Sequence, residues 1–235
     1  VIKKGVTSIG NYAFPFCSYI TSVTIPKSVT SIGNYAFQNN NLLSSIIIPD
    51  EVTYIGDFAF YNCYGLMSVK LPNGITSINE NTFSSCEKLS SIKIPESVDS
   101  IKGFAFKNSG LASIFIPKSV ISIDSTAFAD CSELEAINVS VENQNYMSKK
   151  CVLFSYNRTI LCVCPGGKNG IYSIPYGVTD IQDYAFKGCE KLSYISIPFS
   201  VSKIGEYAFE YCSKLSSIII PPKITSMDSY AFEIG

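Results

Sequence analysis

Apolar residues recur along this chain in units of 23 residues. Four units follow one another without a gap, at 6–28, 29–51, 52–74 and 75–97, and a fifth at 98–119 is one residue shorter. After a longer irregular stretch the period resumes at 178–200 and 201–223, and Ile224 opens a further unit. A fixed period of this size predicts a stack of equivalent coils.

Each unit has the same internal pattern. It opens with Val or Ile, has Ile or Met at its fourth position, and has a phenylalanine five residues later. The phenylalanine column consists of Phe14, Phe37, Phe60, Phe83, Phe106, Phe128, Phe186, Phe209 and Phe232. An alternating L-x-x-I-x-I-P segment follows, as at Leu89–Pro95, and predicts one short strand per coil that ends at the proline. We expect the V-x-x-I segment to form the return leg and the Ala-Phe segment to form a helical or 3-10 turn.

The complete unit reads C-x-x-L-x-x-I-x-I-P-x-x-V-x-x-I-G-x-x-A-F at Cys189–Phe209, and Cys17–Phe37 repeats it with other apolar residues at two positions. This unit resembles the repeat of the BspA-like leucine-rich-repeat surface protein family. The resemblance implies a β-dominated leucine-rich-repeat solenoid with a right-handed coil, a parallel concave sheet and short helical turns. Members of that family are surface or secreted proteins of bacteria and parasitic protists that are implicated in adhesion and matrix-protein binding.

The period is interrupted in one irregular unit at 120–177. Two apolar runs in it, Val152–Phe154 and Ile160–Val163, flank the polar turn Tyr156–Thr159 and predict a β-hairpin. We therefore expect a single domain at 1–235 with one hairpin insertion at about 140–175. The hairpin either continues the solenoid as a built-in element or projects from it as a contact element.

Most of the cysteines occupy one place in the repeat. That column consists of Cys17, Cys63, Cys86, Cys131, Cys189 and Cys212, with Asn40 and Ser109 in two other units. All three residue types carry a donor hydrogen, so we expect free side chains that cap loop carbonyls. In the hairpin, pairing about Asn157 and Arg158 sets Cys151 opposite Cys164, which predicts a candidate cross-strand disulfide.

Composition narrows the classes of function. A net charge of -1 and a pI near 5.6, without any basic run, make nucleic acid an unexpected partner. The sequence has no histidine, and its carboxylates scatter over variable repeat positions, so we expect no enzyme activity, no metal site and no cofactor. No apolar run approaches the roughly 20 residues of a membrane helix, so no transmembrane segment is expected.

The residues between the apolar positions of each strand are expected to face outward on the concave sheet. One outward column is rich in serine, whereas the other contains aliphatic, aromatic and basic residues. Apolar anchors among polar neighbours are typical of protein-binding surfaces, so the candidate binding residues are Ile47, Lys70, Lys93, Phe115, Tyr194 and Ile219. The same columns are also compatible with a sheet surface that binds nothing.

Two functions remain. The first is a non-catalytic macromolecule-binding module, a cell-surface or secreted adhesin-type protein that binds a host or matrix protein through the concave sheet. The second is an intracellular repeat scaffold for protein–protein interaction, which free thiols would suit. The chain begins at Val1 without a targeting segment and stops inside a repeat, so we expect a piece of a longer protein whose exposed edge coils favour end-to-end self-association.

Overall fold

The computed structural model describes residues 2–233, which form a solenoid of short parallel strands without a helix in that range. Val1, Ile234 and Gly235, the ends of the expected 1–235 domain, lie outside the described residues. The I-x-I segments form the concave ladder, with strands β2 (Ser22–Thr24), β4 (Ser45–Ile47), β6 (Ser68–Lys70), β9 (Ser113–Ile116), β11 (Ala136–Val139), β15 (Gly170–Ser173), β17 (Leu192–Ser196) and β19 (Ser217–Ile219). The V-x-x-I segments form the return ladder, with strands β1 (Ser8–Ile9), β3 (Ser31–Ile32), β5 (Tyr54–Ile55), β7 (Ser77–Ile78), β8 (Ser100–Ile101), β10 (Ser122–Ile123), β14 (Ile160–Val163), β16 (Asp180–Ile181), β18 (Lys203–Ile204) and β20 (Ser226–Met227).

The strands pair in parallel at an offset of one repeat. In the concave ladder Ser22 pairs with Ser45 and Ser45 pairs with Ser68, and in the return ladder Ile9 pairs with Ile32. Each residue therefore lies next to its equivalent in the neighbouring coil. The predicted parallel solenoid is confirmed, and its coils stabilise one another by contacts that a single coil cannot make.

A phenylalanine stack fills the centre of the coils. From Phe14 to Phe128 the neighbouring rings are stacked, with centroids 5.4–5.8 Å apart. Four of these rings are fully buried: Phe37, Phe60, Phe83 and Phe106. Removal of such a side chain from water contributes on the order of 1.5–3 kcal/mol before conformational entropy is subtracted.

The Ala-Phe corner consists of linked β-turns, and this corrects the expectation of a helical turn. In the third coil the N–H groups of Tyr61 and Cys63 donate to carbonyls three residues earlier, at 3.1 and 3.3 Å. Phe58 and Asn62 both have φ of 57°. A left-handed residue at every fourth position stops a right-handed helix, and the freed Phe58 N–H donates to Glu80 O of the next coil at 2.8 Å.

The concave ladder is interrupted twice: between β11 and β15, where the irregular unit enters, and at Ser91–Ile94, between β6 and β9. Both isoleucines of this segment are buried, but the segment forms no strand. The gap is followed by the short unit 98–119, whose missing residue falls beside Gly110. The backbone of Gly110 passes so close to Glu87 O that a Cβ atom would overlap it. Ser91–Ile94 pairs neither with β6 before it nor with β9 after it, so the gap adjoins the shortened loop on one side only.

The irregular unit contains the predicted hairpin and one strand more. Strand β13 (Val152–Ser155) pairs antiparallel with β14, and a further strand, β12 (Tyr146–Lys149), pairs antiparallel with β13. Strand β14 then pairs in parallel with β16. The hairpin is therefore built into the return ladder and does not project from the solenoid.

Strand β13 separates two hydrophobic clusters. Leu153 belongs to the cluster that extends back to Ile9, whereas Val152 and Phe154 belong to the cluster that extends forward to Ala231. Alternate side chains of a strand point to opposite faces, so one strand supplies both clusters. The hairpin is the joint between the two halves of the hydrophobic core.

Candidate binding surface

The outward positions of the concave ladder present apolar side chains to solvent. Ile47 is 67% exposed, Phe115 is 52% exposed and Ile219 is 70% exposed. Strand β4 shows the reason, because its burial alternates and leaves Ile47 outside while Ile46 is inside. These candidates therefore lie on the face that a ligand can reach.

The first group of candidates lies on the N-terminal half. Ile47 is the register partner of both Thr24 and Lys70, and the three line a groove of about 530 Å³. The Lys70 Nζ atom lies 3.6 Å from Asp50 Oδ2, with both side chains more than half exposed. Such exposed pairs contribute little to stability, so both charges remain accessible to a partner. Lys93 is exposed but falls in the ladder gap.

The second group lies on the C-terminal half, where Tyr194 is half-buried and Ile219 is exposed. The neighbouring coils expose three further side chains that the sequence pattern did not single out: Ile171 at 73% exposure, Tyr176 at 87% and Phe199 at 70%. Ile171 pairs in register with Tyr194. Tyr176 and Phe199 each follow a strand-ending proline directly, and this position in the repeat could have marked them in the sequence as candidates for exposure. We call Ile171, Tyr176, Phe199 and Ile219 the C-terminal apolar patch.

A second aromatic column at the corner is a structural stack. Tyr12, Tyr35 and Phe58 stack with centroid distances of 4.7 and 4.6 Å, and Tyr184 and Tyr207 stack at 5.3 Å. Ring faces that cover one another offer only their edges to solvent. This column therefore favours packing between coils over ligand binding.

The cysteine column caps carbonyls of the preceding coil, as expected from its shared donor hydrogens. Cys63 Sγ donates to Phe37 O at 3.1 Å, and Cys86 Sγ donates to Phe60 O at 3.3 Å. Asn40 serves the same purpose, since its Nδ2 donates to Phe14 O of the preceding coil at 2.8 Å. Each donor satisfies a buried backbone acceptor that has no ladder partner.

Burial keeps these thiols protonated. It raises the pKa of Cys63 and Cys212 to about 12 and that of Cys131 to about 11, in each case mainly by desolvation of the thiolate. A thiol acts as a nucleophile or a metal ligand only in its thiolate form, so at neutral pH these three buried cysteines supply neither. Among residues 2–233, no group of three or more Cys, Asp or Glu side chains is arranged to hold a metal ion.

The structure does not join Cys151 to Cys164. All nine cysteines are free thiols, with Cys151 half-buried and Cys164 buried. Phe154 pairs with Leu161 but Leu153 pairs with Val163, so a bulge shifts the hairpin register by one residue on the way to these cysteines. A one-residue shift turns side chains to opposite faces, which removes the expected alignment.

An asparagine and aspartate ladder fixes the spacing between coils. The Asn34 N–H donates to Asn11 Oδ1 at 2.8 Å, and the Asp57 N–H donates to Asn34 Oδ1 at 3.0 Å, each across 23 residues. Gly33 precedes Asn34 because a Cβ there would lie 2.5 Å from Asn11 Oδ1. The I-G-N sequence therefore encodes a contact between coils.

The repeat with this geometry matches a known family model. The model of the BspA type leucine-rich repeat region matches in six copies over residues 1–81, 53–161 and 170–234. The chain belongs to the BspA-type leucine-rich repeat family. No curated protein matches the sequence significantly. Within 2–233, no helix of this BspA-type chain has the length and apolarity to span a membrane.

Solved structures of bacterial proteins share the BspA-type solenoid. A leucine-rich repeat protein from Eubacterium ventriosum is 30% identical, with a TM-score of 0.68, and the match covers 96% of this chain and 54% of that one. A leucine-rich cell surface protein from Faecalibacterium prausnitzii is 30% identical, with a TM-score of 0.73 and coverage of 97% and 74%. A leucine-rich repeat protein from T. pallidum is 25% identical, with a TM-score of 0.57 and coverage of 89% and 83%. The chain spans about half the length of the Eubacterium protein.

Proposed function

We propose that this chain is a non-catalytic binding module that holds a host or matrix protein on its concave ladder. The observation that carries the proposal is the exposure of Ile47 and Phe115 at outward strand positions, among polar neighbours. Apolar side chains that protrude from a rigid sheet bury area on contact and lose little conformational freedom. Solenoids use this kind of extended face for protein recognition.

A location at the cell surface or outside the cell is part of the proposal. One relative, from Faecalibacterium prausnitzii, is described as a cell surface protein. Adhesion to a host or matrix protein requires this location. An intracellular repeat scaffold is the second candidate, and it is favoured by the nine free thiols, which suit a reducing compartment.

The proposal is tested by binding of the purified protein to immobilised host matrix and plasma proteins. We expect saturable binding that weakens at least about tenfold in the double variant Ile47→Asp/Phe115→Asp, because two charges enter a contact that excludes water. Ile121→Asp is the matched control, since Ile121 is 61% exposed but lies outside the concave ladder.

Binding that survives in the double variant, or that is lost equally in Ile121→Asp, would contradict a concave-face site. Absence of binding by every form, at protein concentrations up to about 100 µM, would instead favour the scaffold.

A further inference from the structure

Charged residues are unevenly distributed along the concave face. From the strand to the following return segment, the first five coils each carry at least one charged residue: Lys27, Asp50, Glu51, Lys70, Lys93, Glu96 and Lys118. The equivalent segments 169–178 and 192–201 carry none, and 215–224 carries only Lys223. Loss of charge together with gain of aromatic residues is the compositional mark of the core of a protein interface.

The same coils carry a group of exposed apolar side chains. The C-terminal apolar patch consists of Ile171, Tyr176, Phe199 and Ile219, each at least 70% exposed. Its members lie on three consecutive coils. The coil of Ile171 pairs with the coil of Phe199 through Tyr194, and that coil pairs with the coil of Ile219 through Ser196. Together they expose on the order of 500 Å², within the range of the largest apolar patches on monomers and often functional at that size.

We propose that the C-terminal apolar patch is an interface with a second copy of this chain. In a two-fold contact the patch meets its own copy, so an apolar patch meets an apolar patch and no charge within it has to lose its water. The four members are uncharged, and the charged side chains of Glu135, Lys150 and Lys168 lie beside Ile171 at the edge of the patch. With its rim of serines, including Ser173, Ser196 and Ser217, the patch approaches the roughly 800 Å² that each partner buries in a standard interface.

The dimer does not depend on the proposed ligand function. The dimer would cover Ile219, but Ile47 and Phe115, which carry the ligand proposal, lie on earlier coils outside the patch. Two ligand-binding faces would then be held in one particle, and avidity would follow from this arrangement. If the chain does not dimerise, the ligand-binding assay can still be carried out on the monomer. If no ligand binds, the measurement of dimerisation is equally unaffected.

Sedimentation equilibrium of the purified chain, from about 1 to about 100 µM, tests the interface. We expect a closed monomer–dimer equilibrium that is unchanged or strengthened by sodium sulfate, because the contact is apolar. Phe199→Asp and Tyr176→Asp should each weaken dimerisation at least about tenfold. The matched control, Ile121→Asp, makes the same kind of change at a side chain that is 61% exposed and lies outside the concave ladder, and it should leave the dissociation constant as it is.

Circular dichroism and thermal unfolding of each variant establish that the coils are intact, which is expected since both aromatic side chains are exposed. A monomer at every concentration would overturn the proposal. So would a dimer that the patch variants leave unchanged. An open series of oligomers would also overturn it and would indicate end-to-end stacking of edge coils instead.

Discussion

At the scale of single residues, one requirement explains the cysteine column. In the first coils the carbonyl of a central phenylalanine accepts a hydrogen bond from a small donor in the following coil: Asn40 donates to Phe14, Cys63 to Phe37 and Cys86 to Phe60. The choice of donor is otherwise free, so the abundance of cysteine reflects packing of a small apolar atom with a weak donor. Reactivity has no part in it, because burial raises the pKa of these thiols.

We expect the free energy of unfolding to fall as the pH rises above about 9. Burial raises the pKa of the Cys63, Cys162 and Cys212 thiols to about 12 from the ordinary value of 9.0. The stability from these raised pKa values is fully present below the unfolded pKa and is lost as the pH rises through the folded one, because unfolded thiols ionise first. Urea unfolding at about pH 8 and about pH 10 measures the loss.

Cys63→Ser keeps a donor at the site but removes a titrating group in this pH range. The variant should therefore lose less stability between the two pH values than the original chain does. Equal losses in both proteins would show that other groups cause the alkaline dependence.

At the scale of elements, burial of the apolar residues and pairing of the backbone are separate properties of a strand position. The loop at Gly110 is one residue short, and Ser91–Ile94 remains outside the concave ladder although its apolar residues are buried. Register in a parallel ladder depends on backbone position as well as on side-chain pattern. A segment can therefore lack the ladder hydrogen bonds while its core contacts stay intact.

Gly110→Ala should destabilise the protein by about 1–3 kcal/mol, because the new Cβ overlaps Glu87 O and the backbone must move. Gly10→Ala is the control, since no atom lies within 4 Å of a Cβ at that position. Thermal and urea unfolding of the two variants make the comparison. A similar effect of both substitutions would contradict the proposed close approach.

Much of this architecture follows from the sequence. The repeat period predicted the stacked strands, and the two apolar runs predicted the hairpin that β13 and β14 form. The prediction of a helical turn at the Ala-Phe corner was wrong. An aromatic residue such as Phe58 rarely adopts the left-handed conformation that it has here, so nothing in the sequence indicated it. The disulfide alignment depended on the hairpin register, and a bulge is not visible in an apolar pattern.

Only part of the candidate binding surface could be predicted from the sequence pattern. The strand pattern predicted which residues face outward, so Ile47 and Ile219 were found. Tyr176 and Phe199 lie in loops, where no alternation indicates exposure, and only the structure gives their exposed fractions. Grouping along the solenoid also required the register, which brings Ile171 beside Tyr194.

At the scale of the whole molecule, the solenoid has two hydrophobic clusters that meet at β13. Leu153 faces one and Phe154 faces the other. Stability in repeat proteins is carried by contacts between neighbours, so a weak joint divides the stack into units that unfold separately.

Phe154→Ala should weaken the C-terminal half selectively. Deletion of a buried phenylalanine ring costs about 3–5 kcal/mol, and here the cost falls on the cluster that extends to Ala231. Hydrogen exchange followed by mass spectrometry should show faster exchange over 160–233, with residues 29–137 still protected. Phe106→Ala is the matched control and should give the reverse distribution, whereas uniform acceleration in either variant would indicate one cooperative unit.

The ladder from Asn11 to Asn34 and Asp57 makes the same bond at each step of 23 residues. Loss or duplication of one of these regular units would bring equivalent residues together again and restore this bond. A gene that encodes such a chain can therefore gain or lose regular units by recombination among its own repeats and keep the ladder that joins them. The outward residues are copied or deleted with each unit, so the length and the composition of the binding face can diverge faster than the core that supports it.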